Sequence, residues 1–244
     1  MNKQYTSLLV LLCLFINVQF ASSQTVDELI QNYSEAIGGA DKLMEINSIK
    51  YTGKFSGNGT DIPITITLKR DGKARMEMIY QGMSMIRACD GNVGWTVNPF
   101  NGNKEAERLP PEDVKDLEKR AELEGELINY KEKGYKAEYL GMDDFEGTEV
   151  YKIRIKDKDG DMTYYYIDAS NYLLLKDNSK RKLGEKEIKS KTLYGNYQKV
   201  NGVMYPMSVE YIDGDAGSGQ KLIFEKIETN VNVNDDIFKM PAIK

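Results

Sequence analysis

The sequence predicts a mainly β fold, an antiparallel sheet accompanied by two helical segments. The first observation is strict alternation between residues 48 and 98. Ile62, Ile64, Ile66 and Leu68 alternate with Thr65, Thr67 and Lys69, and Ala74, Met76, Met78 and Tyr80 with Arg75 and Glu77. That is the period of a strand with one wet and one buried face. The second is turn chemistry: seven Asn-Gly or Asp-Gly pairs follow residue 23, spaced as hairpin connections. The third is that only two stretches outside the N-terminal leader carry helical punctuation and a helical stripe.

Taken in order, residues 1–23 read as a secretion signal. Lys3 supplies the charge, Leu8 to Phe20 the apolar run, and Ala21-Ser22-Ser23 a small-residue cleavage site before Gln24. Cys13 is followed by Leu14, Phe15 and Ile16 rather than a polar stretch, which argues against a lipid anchor. Thr25 to Gly38 then predicts a helix capped by Thr25 with Glu28 and stopped by Gly38-Gly39. Its Val26, Leu29, Ile30, Tyr33 and Ile37 form one stripe, so it lies on a core. Ala40–Ile46 reads as a further helical turn. The strands of 48–98 follow, ending in a loop at Asn98–Gly102.

Pro110-Pro111 opens the second helix, expected over Glu112–Glu124 with acidic residues early and basic residues late. Its stripe, Val114, Leu117 and Ala121, is thin, so it reads as a light cover on the sheet. From Tyr135 the chain is all strands: Tyr151–Lys156, Met162–Asp168, Tyr172–Lys176, an edge or bent strand at Lys186–Lys199, Met204–Ile212 and Gln220–Thr229. No repeat or linker divides residues 24–244, and one domain is expected.

Composition narrows the chemistry. Removing Lys3 from the 33 basic residues leaves 32 against 38 acidic, a net charge of −6 beyond the leader. An acidic surface of mixed sign argues against nucleic acid. Cys89 is the one cysteine left after the leader, so no internal disulfide can form. There is no histidine, which removes histidine acid–base chemistry, the serine–histidine and cysteine–histidine pairs and the common zinc sites.

The remaining constellations read as structure. Asp157-Lys158-Asp159-Gly160-Asp161 lacks the sixth-position Gly of a calcium loop and reads as a hairpin turn. Gly214–Lys221 has Gln220 where a phosphate loop needs Lys. Asp143, Asp144 and Glu146 read as a solvated loop between Gly141 and Gly147. Tyr164-Tyr165-Tyr166 alternate across a strand, so at most Tyr164 and Tyr166 act together. No catalytic residue, metal or cofactor is assigned, and the chain is not expected to be an enzyme.

The methionines are more informative. Met76, Met78, Met83 and Met85 sit on adjacent strands with Tyr80 and, by alternation, Arg87 on the same face. Methionine fills irregular space and suits a surface that accepts varied apolar partners.

In order and spacing, the chain resembles the periplasmic lipoprotein-carrier family, the LolA-like outer-membrane lipoprotein-sorting proteins. The resemblance rests on Glu35–Gly39 with Leu43, Ile49–Gly53, Asp90-Gly91 with Gly94-Trp95, and Leu127–Tyr130. It continues through Tyr139–Gly141 with Glu146-Gly147, Tyr165–Asp168, Tyr197–Pro206 and Asp236–Phe238. It implies a single open, incomplete antiparallel β-barrel whose apolar concave face is covered by the N-terminal helix and the second helical segment. It also implies an interior that receives acyl chains.

On this reading Ile64, Ile66, Met76, Met78, Tyr80, Met83, Met85, Trp95 and Met207 are candidate cavity residues, and Val114, Leu117 and Ala121 form the lid. The family's lid is held by an arginine inside the barrel; no motif fixes it here, and alternation suggests only Arg87. The implied protein is a periplasmic, monomeric, non-enzymatic carrier of lipidated protein or lipid. It would contribute to outer-membrane lipoprotein sorting and meet envelope transport partners. The competing reading is a cell-envelope structural or interaction module of the same fold without lipid traffic.

Overall fold

The computed structural model describes residues 24–57, 59–183, 186–214 and 219–242. The signal segment expected at 1–23 lies outside them. α1 (Val26–Ala36) carries the full capping box: the Glu28 N–H donates to Thr25 Oγ1 at 3.2 Å, and the Thr25 N–H to Glu28 Oε2 at 2.8 Å. A short α2 (Ala40–Met44) follows.

Six strands come next: β1 (Ser48–Gly57), β2 (Thr60–Lys69), β3 (Lys73–Tyr80), β4 (Met83–Asp90), β5 (Gly94–Asn98) and β6 (Asn103–Arg108). α3 (Pro111–Arg120) links them to seven more. These are β7 (Lys136–Phe145), β8 (Thr148–Lys156), β9 (Met162–Asp168), β10 (Leu174–Leu183), β11 (Lys186–Val200), β12 (Val203–Asp213) and β13 (Gln220–Thr229).

All 13 strands form one antiparallel sheet in the order β6-β5-β4-β3-β2-β1-β13-β12-β11-β10-β9-β8-β7. Each wing is a meander, and among the described residues the only pairing that is not sequential, β1 with β13, joins the two. Among the described residues β6 and β7, at its two ends, do not pair with each other, so it is an open barrel-like sheet rather than a closed one. At the join, a Cβ on Gly53 would lie 2.1 Å from the Ile223 carbonyl oxygen, so glycine is what lets β13 approach β1 across a register shift.

The helices cover one face, the inner one. α1 and the segment after α3 bury Leu29, Ile30, Leu127 and Tyr130 against Ile153, Ile155, Tyr165 and Ile167. Ile37, Leu43 and Ile128 pack on Ile49, Val203, Tyr205, Met207, Phe224 and Ile227. A third cluster is small: Leu117 and Ala121 of α3 on Ala74 and Cys89.

The wet face of the first wing is also covered, by the segment after β13. Phe238 is fully buried there, and its carbonyl accepts the Trp95 Nε1–H at 2.7 Å. Arg75 donates to the Ile237 carbonyl at 3.0 Å, and Asp235 pairs with Lys69 and Lys73 at 2.5 and 2.9 Å. Those two ammonium groups hold the Asp235 carboxyl down at about 2.

Several expectations are corrected. β10 runs on past Lys176, with Asp177 to Leu183 paired to both neighbours or to β11. β11 is an interior strand between β10 and β12, and it keeps one register with β12 on both sides of Asn196, which takes φ 54°. Asp143 and Asp144 belong to β7, and the turn is Glu146-Gly147. Asn103–Arg108 forms a strand whose lack of alternating apolar residues hid it.

Candidate functional site

The cross-strand register builds one continuous apolar surface on the inner face of the first wing. Ile66 stands opposite Met76, Ile64 opposite Met78, Met78 opposite Met85, and Tyr80 opposite Met83. Directly opposed residues share a face, so seven of the predicted residues, Ile64, Ile66, Met76, Met78, Tyr80, Met83 and Met85, come together as one stripe. Ile64 is buried; the four methionines and Tyr80 are partly exposed. Phe100, in the 3₁₀ turn after β5, extends the stripe at its rim, its ring centroid 5.5 Å from that of Tyr80. Sequence reasoning left Phe100 in a loop, since a lone aromatic after Pro99 carries no period.

Two predicted residues are elsewhere. Trp95 pairs with Ala88, one step out of phase with the methionines, and therefore points to the opposite face under Phe238. Its alternation in a five-residue strand was too short to fix the face. Met207 is on the inner face, buried in the packed cluster with Tyr205 and Val203, against which Ile66 of the stripe also packs.

α3 carries Val114, Leu117 and Ala121 onto the sheet, as its stripe predicts. Their seat is Ala74, Cys89 and Gly94, where a Cβ on Gly94 would lie 2.7 Å from Val114 Cγ2. The Met78–Met85 pair lies four residues along the strands from Ala74–Cys89, about 13 Å at strand rise. α3 thus covers one end of the stripe and leaves the other open.

Charge holds α3 across the gap between the wings. Asp113 pairs with Arg87 of β4 at 2.9 Å, while Asp116 pairs with Arg181 of β10. Lys115 pairs with Asp159, and Lys119 with Asp157 at 2.6 Å, both in the β8–β9 turn. Arg87 is opposite Met76 on the inner face, so the alternation argument placed it well. Burial would raise the Asp157 carboxyl, but Lys119 and the N–H groups of Asp161 and Asp159 outweigh it and hold it below its ordinary value. That carboxylate is engaged in the turn and in the contact with α3.

A cavity of about 310 Å³ lies beside the stripe, between the inner face and residues 120–127. Tyr51, opposite Ile66, and Leu68, opposite Ala74, form its wall toward the stripe. Its far wall is polar: Tyr194 donates to Asp177 Oδ2 at 2.6 Å, and Tyr165 to Glu126 Oε2 at 2.7 Å. Burial, with Glu126 acting in the same direction, pushes the Asp177 carboxyl up to about 6 against hydrogen bonds from Tyr194 and Thr192. Burial pushes the Tyr205 phenol up to about 12. Sequence reasoning missed this group because the expected strand stopped at Lys176, one residue short of Asp177.

The architecture has solved counterparts. A putative outer-membrane lipoprotein-sorting protein domain from Vibrio parahaemolyticus superposes with a TM-score of 0.55 at 12% identity, covering 88% of this chain and 95% of that one. A LolA superfamily protein from Nitrosomonas europaea gives 0.57 at 12% identity, covering 89% and 98%. The fold is LolA-like. A DUF1329 family protein from Desulfovibrio piger shares it, with a TM-score of 0.56 at 12% identity and coverage of 89% and 98%. A family model described only as an uncharacterized protein matches residues 124–244, the second wing of this LolA-like sheet together with the segment after β13, the strap over the outer face of the first wing. No curated protein matches the sequence.

Proposed function

We propose that the chain is a non-enzymatic carrier or binder of lipid or lipidated protein, exported to the periplasm, that seats acyl chains on its inner face. The observation that carries this reading is the Ile64–Met78–Met85 stripe, contiguous on one face and left partly uncovered by α3. The LolA-like fold of a protein described as lipoprotein-sorting supports it. A contribution to outer-membrane lipoprotein sorting, through envelope partners that donate and accept cargo, is the role this proposal gives it.

Each acyl CH₂ removed from water is worth roughly 0.8 kcal/mol, in a bilayer as in a protein. A carrier therefore needs an apolar surface that is open enough to exchange cargo rather than one that binds without release. A methionine stripe beneath a lid held by three apolar side chains and a few ion pairs meets that need.

The test is purification under mild conditions with mass spectrometry for retained lipid, and titration with a fluorescent fatty acid. Binding should fall at least tenfold in the Met78→Asp, Met85→Asp double variant. A wild-type protein that takes up no acyl probe would refute the reading. The packed clusters under α1 favour the second reading, an envelope interaction module. Cross-linking to one stable protein partner, without acyl binding, would establish it.

A further inference from the structure

Asp177 is the anomaly of the inner face. It is 8% exposed, and no described cation pairs with it. A buried carboxylate ordinarily has a counter-charge, because taking an ion out of water costs several kcal/mol that only a partner returns. Here the partners are neutral hydroxyls, those of Tyr194 and Thr192. The charged residues lining the adjoining cavity are Arg120 against Glu122, Glu124, Glu126 and Asp177, so the space is acidic. Glu122, Glu124 and Glu126 each have a lysine or arginine partner: Lys133 for Glu122, Arg70 and Lys133 for Glu124, and Lys119 for Glu126. Among the described residues Arg120, at the end of α3, makes no ion pair with Asp177; its charge favours the carboxylate and that of Glu126 opposes it.

Two further observations mark this as a place for a ligand. Tyr205, 6% exposed and lining the cavity, has a hydroxyl without a hydrogen-bond partner among the described residues. Aromatic rings, those of Tyr51, Tyr165 and Tyr194, share the remaining wall with aliphatic side chains such as Leu68, Leu123 and Leu174. Aromatic faces around an acidic group attract organic cations, by roughly 0.5 to 2 kcal/mol per ring when desolvated.

We propose that this cavity takes the ammonium end of a cationic amphiphile, with Asp177 as its counter-ion, while the apolar tail lies along the methionine stripe. The cavity wall borders the stripe on one face of the sheet, since Tyr51 stands opposite Ile66, which in turn stands opposite Met76. This rests on the reading of the inner face as an acyl-binding surface and adds the chemistry of the head group. The ammonium could belong to an amino-lipid or to a free alkylamine; both present the same charge to Asp177.

The test is calorimetric titration of residues 24–244 at pH 8 with three probes below their micelle concentrations: decyltrimethylammonium, decanol and decanoate. The cation should bind at least tenfold more tightly than decanol. In Asp177→Asn that preference should disappear while decanol affinity stays within about twofold. In the unaltered protein the preference should fade on going from pH 8 to pH 5, as Asp177 takes up a proton amid Tyr194, Tyr165, Glu126 and Arg120; this arm needs no variant to fold.

Equal binding of cation and decanol at pH 8, preference for decanoate, or a preference that survives Asp177→Asn would overturn the assignment. Binding of decanol and decanoate without a cation preference leaves the carrier reading standing and removes only this one. Failure of all three probes to bind removes both. A headgroup screen with phosphatidylethanolamine against phosphatidylglycerol in detergent then separates the lipid source from the free amine.

Discussion

Replacing Asp177 by Asn converts the buried acid into a neutral group of the same shape, and its effect on stability should depend on pH. The carboxyl titrates near its ordinary 3.8 in the unfolded chain and at about 6 in the folded one. A group whose folded pKa is raised is fully tolerated below the unfolded value and becomes a liability as pH rises through the folded one. At 1.36 kcal/mol per pH unit, the whole liability is about 3 kcal/mol, of which roughly 2 develop between pH 4.5 and pH 8. Asn can still accept the Tyr194 hydroxyl, so the hydrogen bond is not the variable. Urea unfolding of both proteins at half-unit pH steps, read by circular dichroism, gives the difference in stability. It should move in favour of Asp177→Asn by about 2 kcal/mol over that range, levelling off above pH 7. A difference that stays flat, or that moves in favour of the acid, would mean that Asp177 is compensated in the folded state.

Other perturbations separate the two faces of the first wing. Phe238→Ala should cost about 3–5 kcal/mol and shift Trp95 emission to the red, since Phe238 is fully buried and its carbonyl takes the indole N–H. Acyl loading should leave Trp95 emission unchanged, while a Met78→Trp reporter in a Trp95→Phe background should respond; the reverse pattern would place the ligand on the outer face. Arg87→Ala with Arg181→Ala should raise amide exchange across 111–121 several-fold and leave the β3–β4 ladder protected, because each pair is half-exposed and worth about 1 kcal/mol or less. Acid should release the strap below the ordinary carboxylate range. Asp235, held at about 2 by Lys69 and Lys73, stabilises the fold above its unfolded pKa and loses that effect as pH falls through 2. Asp235→Asn should flatten the acid limb of strap opening, followed by exchange at Phe238.

Much of this was legible where a local rule decides the outcome. Thr25 with Glu28 set the start of α1, the Asp-Gly and Asn-Gly pairs set hairpins, and strict alternation placed Ile64, Met76 and Met85 on one face. The rule fails when its window is short or its pattern is polar. Trp95 sits in a five-residue strand, where one neighbour more or less changes the apparent phase. Asn103–Arg108 and the far half of β10 carry no apolar alternation, and so they read as loops. Asp177 was lost for that reason, although it is the residue whose burial most constrains what the interior can hold. The seat of α3 on Gly94 was beyond any local rule: it depends on contact between residues twenty positions apart.

The outer strap explains how the first wing can keep an unfilled inner face. A sheet of half-buried strands is stable when at least one face loses water. In the second wing that face is the inner one, packed beneath α1 and Leu127–Tyr130. In the first wing that packing reaches β1 and Ile66, but on β3 and β4 the inner face has only the small α3 cluster, and the methionines beyond it remain partly exposed. Phe238, Trp95 and Ala88 supply the missing core from the other side. If stability in this wing comes from the outer face, polar replacements on the inner stripe should cost little. Met78→Ser with Met85→Ser should lower stability by less than about 2 kcal/mol, well under the cost of two filled core sites. The same pair should weaken acyl binding markedly. Loss of 4 kcal/mol or more in a urea titration would show the stripe to be structural core, and the inner face of this wing would no longer qualify as a surface reserved for cargo.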